Sequence, residues 1–227
     1  YNEKQISRKV SYNDLHRQVG KVSNSLKSMG VISGDRVVAI MPNMPESIIG
    51  MLASTSIGAI WSSCSPEFGV NGILDRFSQI RPKILLTVDG YYFKGETFDI
   101  SNKIEKISNS LNTLKHVIVV NYINSQIEYN HVQWEELLNN NNDKINFEQL
   151  PFNHPLYIMY SSGTTGKPKS IVHSSGGTLI QHLKELKYHV NLQQKDKIFY
   201  YTTCGWMMWN WLVSSLAFGA TIVLYEG

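Results

Sequence analysis

Residues 36–64 read RVVAIMPNMPESIIGMLASTSIGAIWSSC. Arg36 to Met41 is a short apolar run that reads as a strand, a helix follows near Pro45–Ile57, and a second strand follows near Ala59–Ser63. The same alternation extends outward in both directions. Upstream, Leu15, Val19, Val22, Leu26 and Met29 are spaced 4, 3, 4, 3 between a Ser11-x-x-Asp14 start and Gly30, which predicts a capped helix. Downstream, Val70, Ile73, Leu74, Phe77 and Ile80 share one helical face before the strand Ile84–Val88. Ile100, Ile104, Ile107 and Leu111 share another before the strand His116–Val120. Helices of 3.6 period alternating with short apolar runs argue for an α/β fold, with a mostly parallel sheet flanked by helices.

The rhythm breaks from about residue 121 to 155. The run Asn139-Asn140-Asn141-Asn142 lacks apolar surface and competes with helix backbone, so this part is expected to be a surface excursion with a short helix at Trp134–Leu138. Beyond it come a strand at Leu156–Tyr160, a Gly/Ser/Thr loop, a helix at Gly177–Lys187 and a strand at Lys197–Thr202. An aromatic-rich helix from Trp206 and a strand at Thr221–Tyr225 complete the pattern.

Composition excludes several classes. The 227 residues are 42% hydrophobic and 17% charged, with a net charge of +3 and no basic run, so neither disorder nor nucleic acid is favoured. The two cysteines, Cys64 and Cys204, have no metal-ligand spacing and read as ordinary thiols of a reducing, cytosolic compartment. Ser47–Pro66 and Ile198–Tyr225 are uncharged enough to be weighed as membrane spans. The first is crowded with Ser, Gly and Thr, and the second breaks into pieces of different period, so no span is expected. The polar opening Tyr1-Asn2-Glu3-Lys4-Gln5 is no signal peptide. The absence of an initiator Met suggests a piece of a longer protein.

The chemistry is concentrated in Tyr160-Ser161-Ser162-Gly163-Thr164-Thr165-Gly166-Lys167-Pro168-Lys169-Ser170. From Ser161 to Lys169 every residue is Ser, Thr, Gly, Lys or Pro, directly after an apolar strand. Backbone N–H groups, hydroxyls and ammonium groups together suit a polyanion, although composition alone would also produce a flexible polar turn. The spacing approaches the nucleotide-binding pattern G-x-x-x-x-G-K-[ST], but Pro168 stands at the second glycine and has no N–H to donate.

This segment resembles the phosphate loop of the adenylate-forming acyl-CoA synthetases, [ST]-[ST]-G-T-T-G-x-P-K, at every defined position. Ser170, where most members have Gly, and the continuation Ile171 to Gly177 are similar to the acetoacetyl-CoA synthetase branch. So are Tyr201 to Trp211 and Ser65 to Phe77. The resemblance implies a large N-terminal, AMP-binding domain, incomplete over residues 1–227, from which the small C-terminal domain is absent. It implies an ATP-dependent acid–thiol ligase acting on small-molecule substrates, with ATP and coenzyme A as substrates. Magnesium would be held by a ligand beyond Gly227, with no metal ligand in this chain. On this resemblance Lys169 is catalytic, and Ser161, Ser162, Gly163, Thr164, Thr165, Gly166 and Lys169 meet the ATP phosphates. The adenine, magnesium, ribose and catalytic-lysine motifs would follow residue 227, so the chain alone is expected not to turn over.

Three side chains are candidates for the acid pocket. Trp206, Trp209 and Asn210 follow a strand end and share a helical face, with core packing as the alternative reading, while Trp211 points elsewhere and reads as core. Lys94, beside Gly95, resembles the region where related synthetases place basic residues near the coenzyme A phosphate. His173 is read as a satisfied polar side chain, and His154, His182 and His189 as ordinary surface residues.

Overall fold

Ser11 opens the first helix: its hydroxyl oxygen accepts the N–H of Asp14, and α1 (Tyr12–Ser28) buries Val19, Val22 and Leu26 along one stripe. The structure, a computed structural model, describes residues 1–4, 7–161 and 166–226. After α1 come β1 (Arg36–Ile40), α2 (Pro45–Ser56), β2 (Ile60–Cys64), α3 (Val70–Ile80) and β3 (Ile84–Val88). A hairpin of β4 (Gly90–Phe93) and β5 (Glu96–Asp99) precedes α4 (Ser101–Ser110), β6 (His116–Val120), β7 (Val132–Gln133) and α5 (Trp134–Leu138). The last part holds β8 (Pro155–Tyr160), β9 (Ser170–Ser174), α6 (Ser175–Lys184), β10 (Lys197–Phe199), α7 (Met207–Ser214) and β11 (Thr221–Val223).

Seven strands form one sheet in the order β7-β6-β3-β1-β2-β8-β9. All its pairs are parallel except β8 with β9. Val38, Ala39 and Ile40 of the central β1 are wholly buried, as a strand covered on both faces requires. Crossover helices supply that cover, so the apolar runs and the amphipathic helices serve one core. β10 and β11 pair in parallel as a separate ribbon, over a small second core of Leu186, Leu192 and Ala220 with Trp211 packed against it.

The excursion after residue 120 carries its short helix at the expected Trp134–Leu138 and is fastened down: β7 extends the sheet, and Trp134 and Leu137 are buried. Gly20 makes the seat. A Cβ there would lie 1.8 Å from the Asp143 carbonyl oxygen, and only a glycine lets that backbone lie on α1. Other expectations are corrected by the structure. The helix expected to reach Lys187 is α-helical to Lys184 and then widens into a π-helical turn, Glu185–His189. The strand expected to reach Thr202 ends at Phe199, and the one expected to reach Tyr225 ends at Val223. The β4–β5 hairpin was not expected at all, because Lys94-Gly95 is a two-residue turn without the usual Asn or Asp signal.

The chain's first residues are tied to its last. Asn2 and Glu226 form a parallel bridge, and Asn2 Nδ2 donates to the Tyr122 hydroxyl at 2.8 Å. The Glu226 carboxylate accepts the Tyr92 N–H at 2.9 Å and the Tyr122 hydroxyl. Burial holds the Glu226 carboxyl above its usual pKa.

Candidate active site

β8 delivers the glycine- and hydroxyl-rich segment to the carboxyl-end side of the parallel strands, where open α/β sheets bind ligands. β9 returns antiparallel to it, with Tyr160 opposite Ser170. The loop is therefore closed at its base. The Ser161 N–H donates to the Lys169 carbonyl at 3.0 Å, and the Lys169 N–H donates to Ser161 Oγ at 3.2 Å. One backbone bond and one bond to the Ser161 hydroxyl hold the Lys169 main chain, while its side chain is exposed. Ser162, Gly163, Thr164 and Thr165 lie outside the described residues. A side chain added at Gly166 would meet nothing within 4 Å, which leaves that part of the backbone open to a ligand.

A second support comes from α3. Gln79 Nε2 donates to the Pro168 carbonyl at 2.8 Å, and Ser170 Oγ donates to Gln79 Oε1 at 3.1 Å. Lys167 Nζ stands 3.4 Å from Asp75 Oδ1. Arg76, on the same face, lays its guanidinium over Phe68 at 4.9 Å and over Tyr160 at 5.8 Å. Sequence reasoning did not single out Asp75, Arg76 or Gln79. The available signal was their spacing with Gly72, which puts one stripe alongside the buried Ile73, Phe77 and Ile80.

The three aromatic-helix candidates separate. Trp206 is the N-cap of α7 rather than a member of its first turn, and it is 62% exposed. Trp209 is wholly buried, and its indole N–H donates to Asn43 Oδ1 at 3.0 Å. Asn210 is buried beside β8. Its amide lies 3.4 Å from Met159 Sδ and 3.4 Å from the Trp206 carbonyl, and its Oδ1 has no hydrogen-bond partner. β2 and β8 share one paired position, Trp61 with Tyr157. The seam beside it, lined also by Ser63, Cys204 and Asn210, has no room for a water molecule. Trp209 and Asn210 are thus brought together inside the fold, and Trp206 alone of the three is presented to solvent.

His182 is not a surface residue. It is 6% exposed, and its Nδ1 lies 2.8 Å from Ser214 Oγ. Because the Ser214 hydroxyl donates its proton to the Asn210 carbonyl at 3.1 Å, it is His182 Nδ1–H that donates to the hydroxyl oxygen. Burial and then the neighbouring His173 lower the His182 pKa, and burial alone lowers that of His173, whose ring sits 5.1 Å from Tyr157. A histidine whose pKa is depressed on folding binds more protons unfolded than folded. Its contribution to stability is present above the ordinary value and is lost as pH falls below that value through the lowered folded one. Thermal melts from pH 7.5 to 5 are expected to show a declining midpoint, and His182→Gln is expected to flatten that decline. An unchanged slope in the variant would remove His182 from the explanation.

His154 is half-buried, with Nε2 at 2.8 Å from the Gly58 carbonyl, and His189 is exposed. Both cysteines are free and buried, and burial pushes their thiols up to about 12, so neither is a nucleophile at neutral pH. Lys94 stands at the β4–β5 turn with φ 52° and its ammonium over Phe93 at 5.1 Å. Among the described residues no three His, Cys, Asp or Glu side chains gather as a metal site, and no helix is long and apolar enough to cross a membrane.

A parallel sheet edged by one antiparallel strand, with a Ser/Thr/Gly/Lys segment joining β8 to β9 at that edge, is an α/β architecture of the kind that binds ligands beyond its carboxyl-end strands. The family model described as AMP-binding enzyme matches residues 3–227, and the chain belongs to this family. It is 47% identical over 231 residues to the acetoacetyl-coenzyme A synthetase of Rhizobium meliloti (strain 1021), covering 99% of this chain and 35% of that protein. It is 50% identical over 230 residues to the acetoacetyl-CoA synthetase of Danio rerio, covering 96% and 34%. The solved acetoacetyl-CoA synthetase from Streptomyces lividans superposes with a TM-score of 0.97 at 42% identity, covering 100% of this chain and 35% of that one. The chain therefore spans about a third of the length of the relatives it matches.

Proposed function

We propose that these residues are the incomplete N-terminal, AMP-binding domain of a cytosolic ligase that joins acetoacetate to coenzyme A at the expense of ATP. The observation that carries this reading is the near-half identity, over almost the whole chain, to proteins named for that acid. In the first step an acetoacetate carboxylate oxygen attacks the α-phosphorus of ATP, the bond to the β-phosphate bridging oxygen breaks, and pyrophosphate leaves. The sulfur of coenzyme A then attacks the acyl carbon. AMP departs with the carboxylate oxygen, and the thiol proton goes to solvent.

For the first step this chain's task is to hold the phosphates and to offset charge growing on the departing pyrophosphate. Ser161, Ser162, Gly163, Thr164, Thr165 and Gly166 supply N–H and hydroxyl donors, and Lys169 supplies the charge. Magnesium would neutralise phosphate charge, and the family resemblance assigns its ligand to a position beyond residue 227. At the acid pocket Trp206 is the side chain proposed to face substrate. Asn210 holds the Trp206 carbonyl, and Trp209 anchors the helix. Lys94 is assigned to a coenzyme A phosphate.

Pyrophosphate release by the complete protein with acetate, propionate, butyrate and acetoacetate tests this reading. Acetoacetate is expected to give the highest kcat/KM. A preference for acetate would make the protein a different short-chain acyl-CoA synthetase. No release with any of the four would leave a nucleotide-binding relative without ligase activity.

A further inference from the structure

The peptide unit that leads into Lys169 is gripped on both edges. It is trans, so the Pro168 carbonyl and the Lys169 N–H point in opposite directions. The N–H donates to Ser161 Oγ at 3.2 Å on the β8 side, and the carbonyl accepts from Gln79 Nε2 at 2.8 Å on the α3 side. A plane held at two opposed edges cannot rotate about its long axis. That rotation is what would swing the Lys169 Cα–Cβ bond, so the grip sets the direction in which the side chain leaves the main chain.

Gln79 is itself fully committed. Of its two Nε2 hydrogens, one goes to the Pro168 carbonyl and the other to the Asp75 carbonyl at 2.5 Å, one turn back on α3. Its Oε1 accepts the Ser170 hydroxyl at 3.1 Å. Two carbonyls require the nitrogen end and a hydroxyl hydrogen takes the oxygen end, so the amide has a single orientation. The side chain is exposed, where a glutamine ordinarily keeps its rotamer freedom, and three bonds hold this one still. The neighbouring Lys167–Asp75 pair is exposed and screened by salt, so it adds little to the grip.

We propose that Gln79 is a positioning residue for Lys169: through the Pro168 carbonyl it fixes the direction of the lysine side chain, and the Ser170 hydroxyl orients the Gln79 amide for that task. This role rests on the reading of Lys169 as the group that offsets charge on the departing pyrophosphate. A preorganised ammonium needs no reorganisation as that charge grows, whereas one carried on a rotating peptide must be gathered at that moment. The effect therefore falls on the chemical step. ATP affinity, shared among the loop's many donors, is expected to change little.

Single-turnover adenylate formation by the complete protein, with ATP affinity and urea midpoints measured alongside, tests this role. Gln79→Ala is expected to slow the step about tenfold, with ATP affinity within about twofold and the urea midpoint unchanged. Ser170→Ala is expected to slow it about threefold, and Ser170→Thr, which keeps the hydroxyl, to restore it. In a Lys169→Ala background Gln79→Ala is expected to add nothing, because a residue that acts through the ammonium has nothing left to position. Equal losses in both backgrounds, or no loss in either, would overturn the proposal. Amide hydrogen exchange at Lys169 is a readout independent of turnover: Gln79→Ala is expected to speed it, and unchanged exchange would mean that Gln79 does not hold this peptide. A wild-type protein that forms no adenylate would instead overturn the ligase reading, and exchange would then decide the grip by itself.

Discussion

Lys169→Ala in the complete enzyme is expected to slow adenylate formation by about 10²–10³-fold, the usual effect of removing one preorganised charge-stabilising group. The structure makes this a clean substitution. Lys169 is held through its main chain, by its N–H to Ser161 Oγ and its carbonyl to the Ser161 N–H, so alanine keeps the loop's base and deletes only the exposed ammonium. Stability is expected to change by less than about 0.5 kcal/mol. Lys167→Ala is expected to be milder, because that ammonium already faces Asp75 at 3.4 Å and sits at the position the family pattern leaves open. Single-turnover measurement of acyl-adenylate separates the two. Equal losses would mean that the roles assigned within the loop are wrong.

Trp209→Ala is expected to destabilise the fold by about 3–5 kcal/mol, the range for truncating a large buried aromatic. Trp209 is wholly buried, and the substitution also strips the indole donor from Asn43 Oδ1, a buried acceptor. Trp209→Phe keeps most of the ring and loses the donor, so a smaller cost is expected. Trp206→Ala, at 62% exposure, is expected to leave stability within about 0.5 kcal/mol. Urea midpoints give all three. A Trp209→Ala protein of near-normal midpoint with impaired acetoacetate turnover would place that ring at the substrate and not in the packing.

Much of the architecture was legible because period and length carried it. β3 and β6 fall at the expected bounds, and α3 runs from Val70 to Ile80 as its apolar face predicts. Where the sequence misled, tertiary contact outweighed local pattern. A tract of four asparagines reads as a surface tip, but the backbone of Asp143, the next residue, lies on Gly20, a contact that no local signal announces. His182 reads as a polar surface residue until Ser214 arrives as its partner from another helix. The phosphate loop was legible as a motif. Its anchors on α3 were not, since Gln79 and Pro168 are brought together by the sheet and not by spacing. Trp206 was placed on the helical face because helical period was extended one residue too far: it caps the helix instead of joining it.

The strand order has a cost during synthesis. β8, which carries the loop, pairs with β2, yet β3, β6 and β7 are all translated between them. At roughly 5–20 residues per second, a ribosome leaves the β2 edge uncovered for several seconds or more. Throughout that window Trp61 and the Ser62 hydroxyl, which later donates to Ile158, have no β8 to meet, and an open strand edge is a template for pairing with other chains. That edge stays open until the loop-bearing β8–β9 hairpin emerges, so the hairpin's place in the sheet depends on how safely the earlier strands wait.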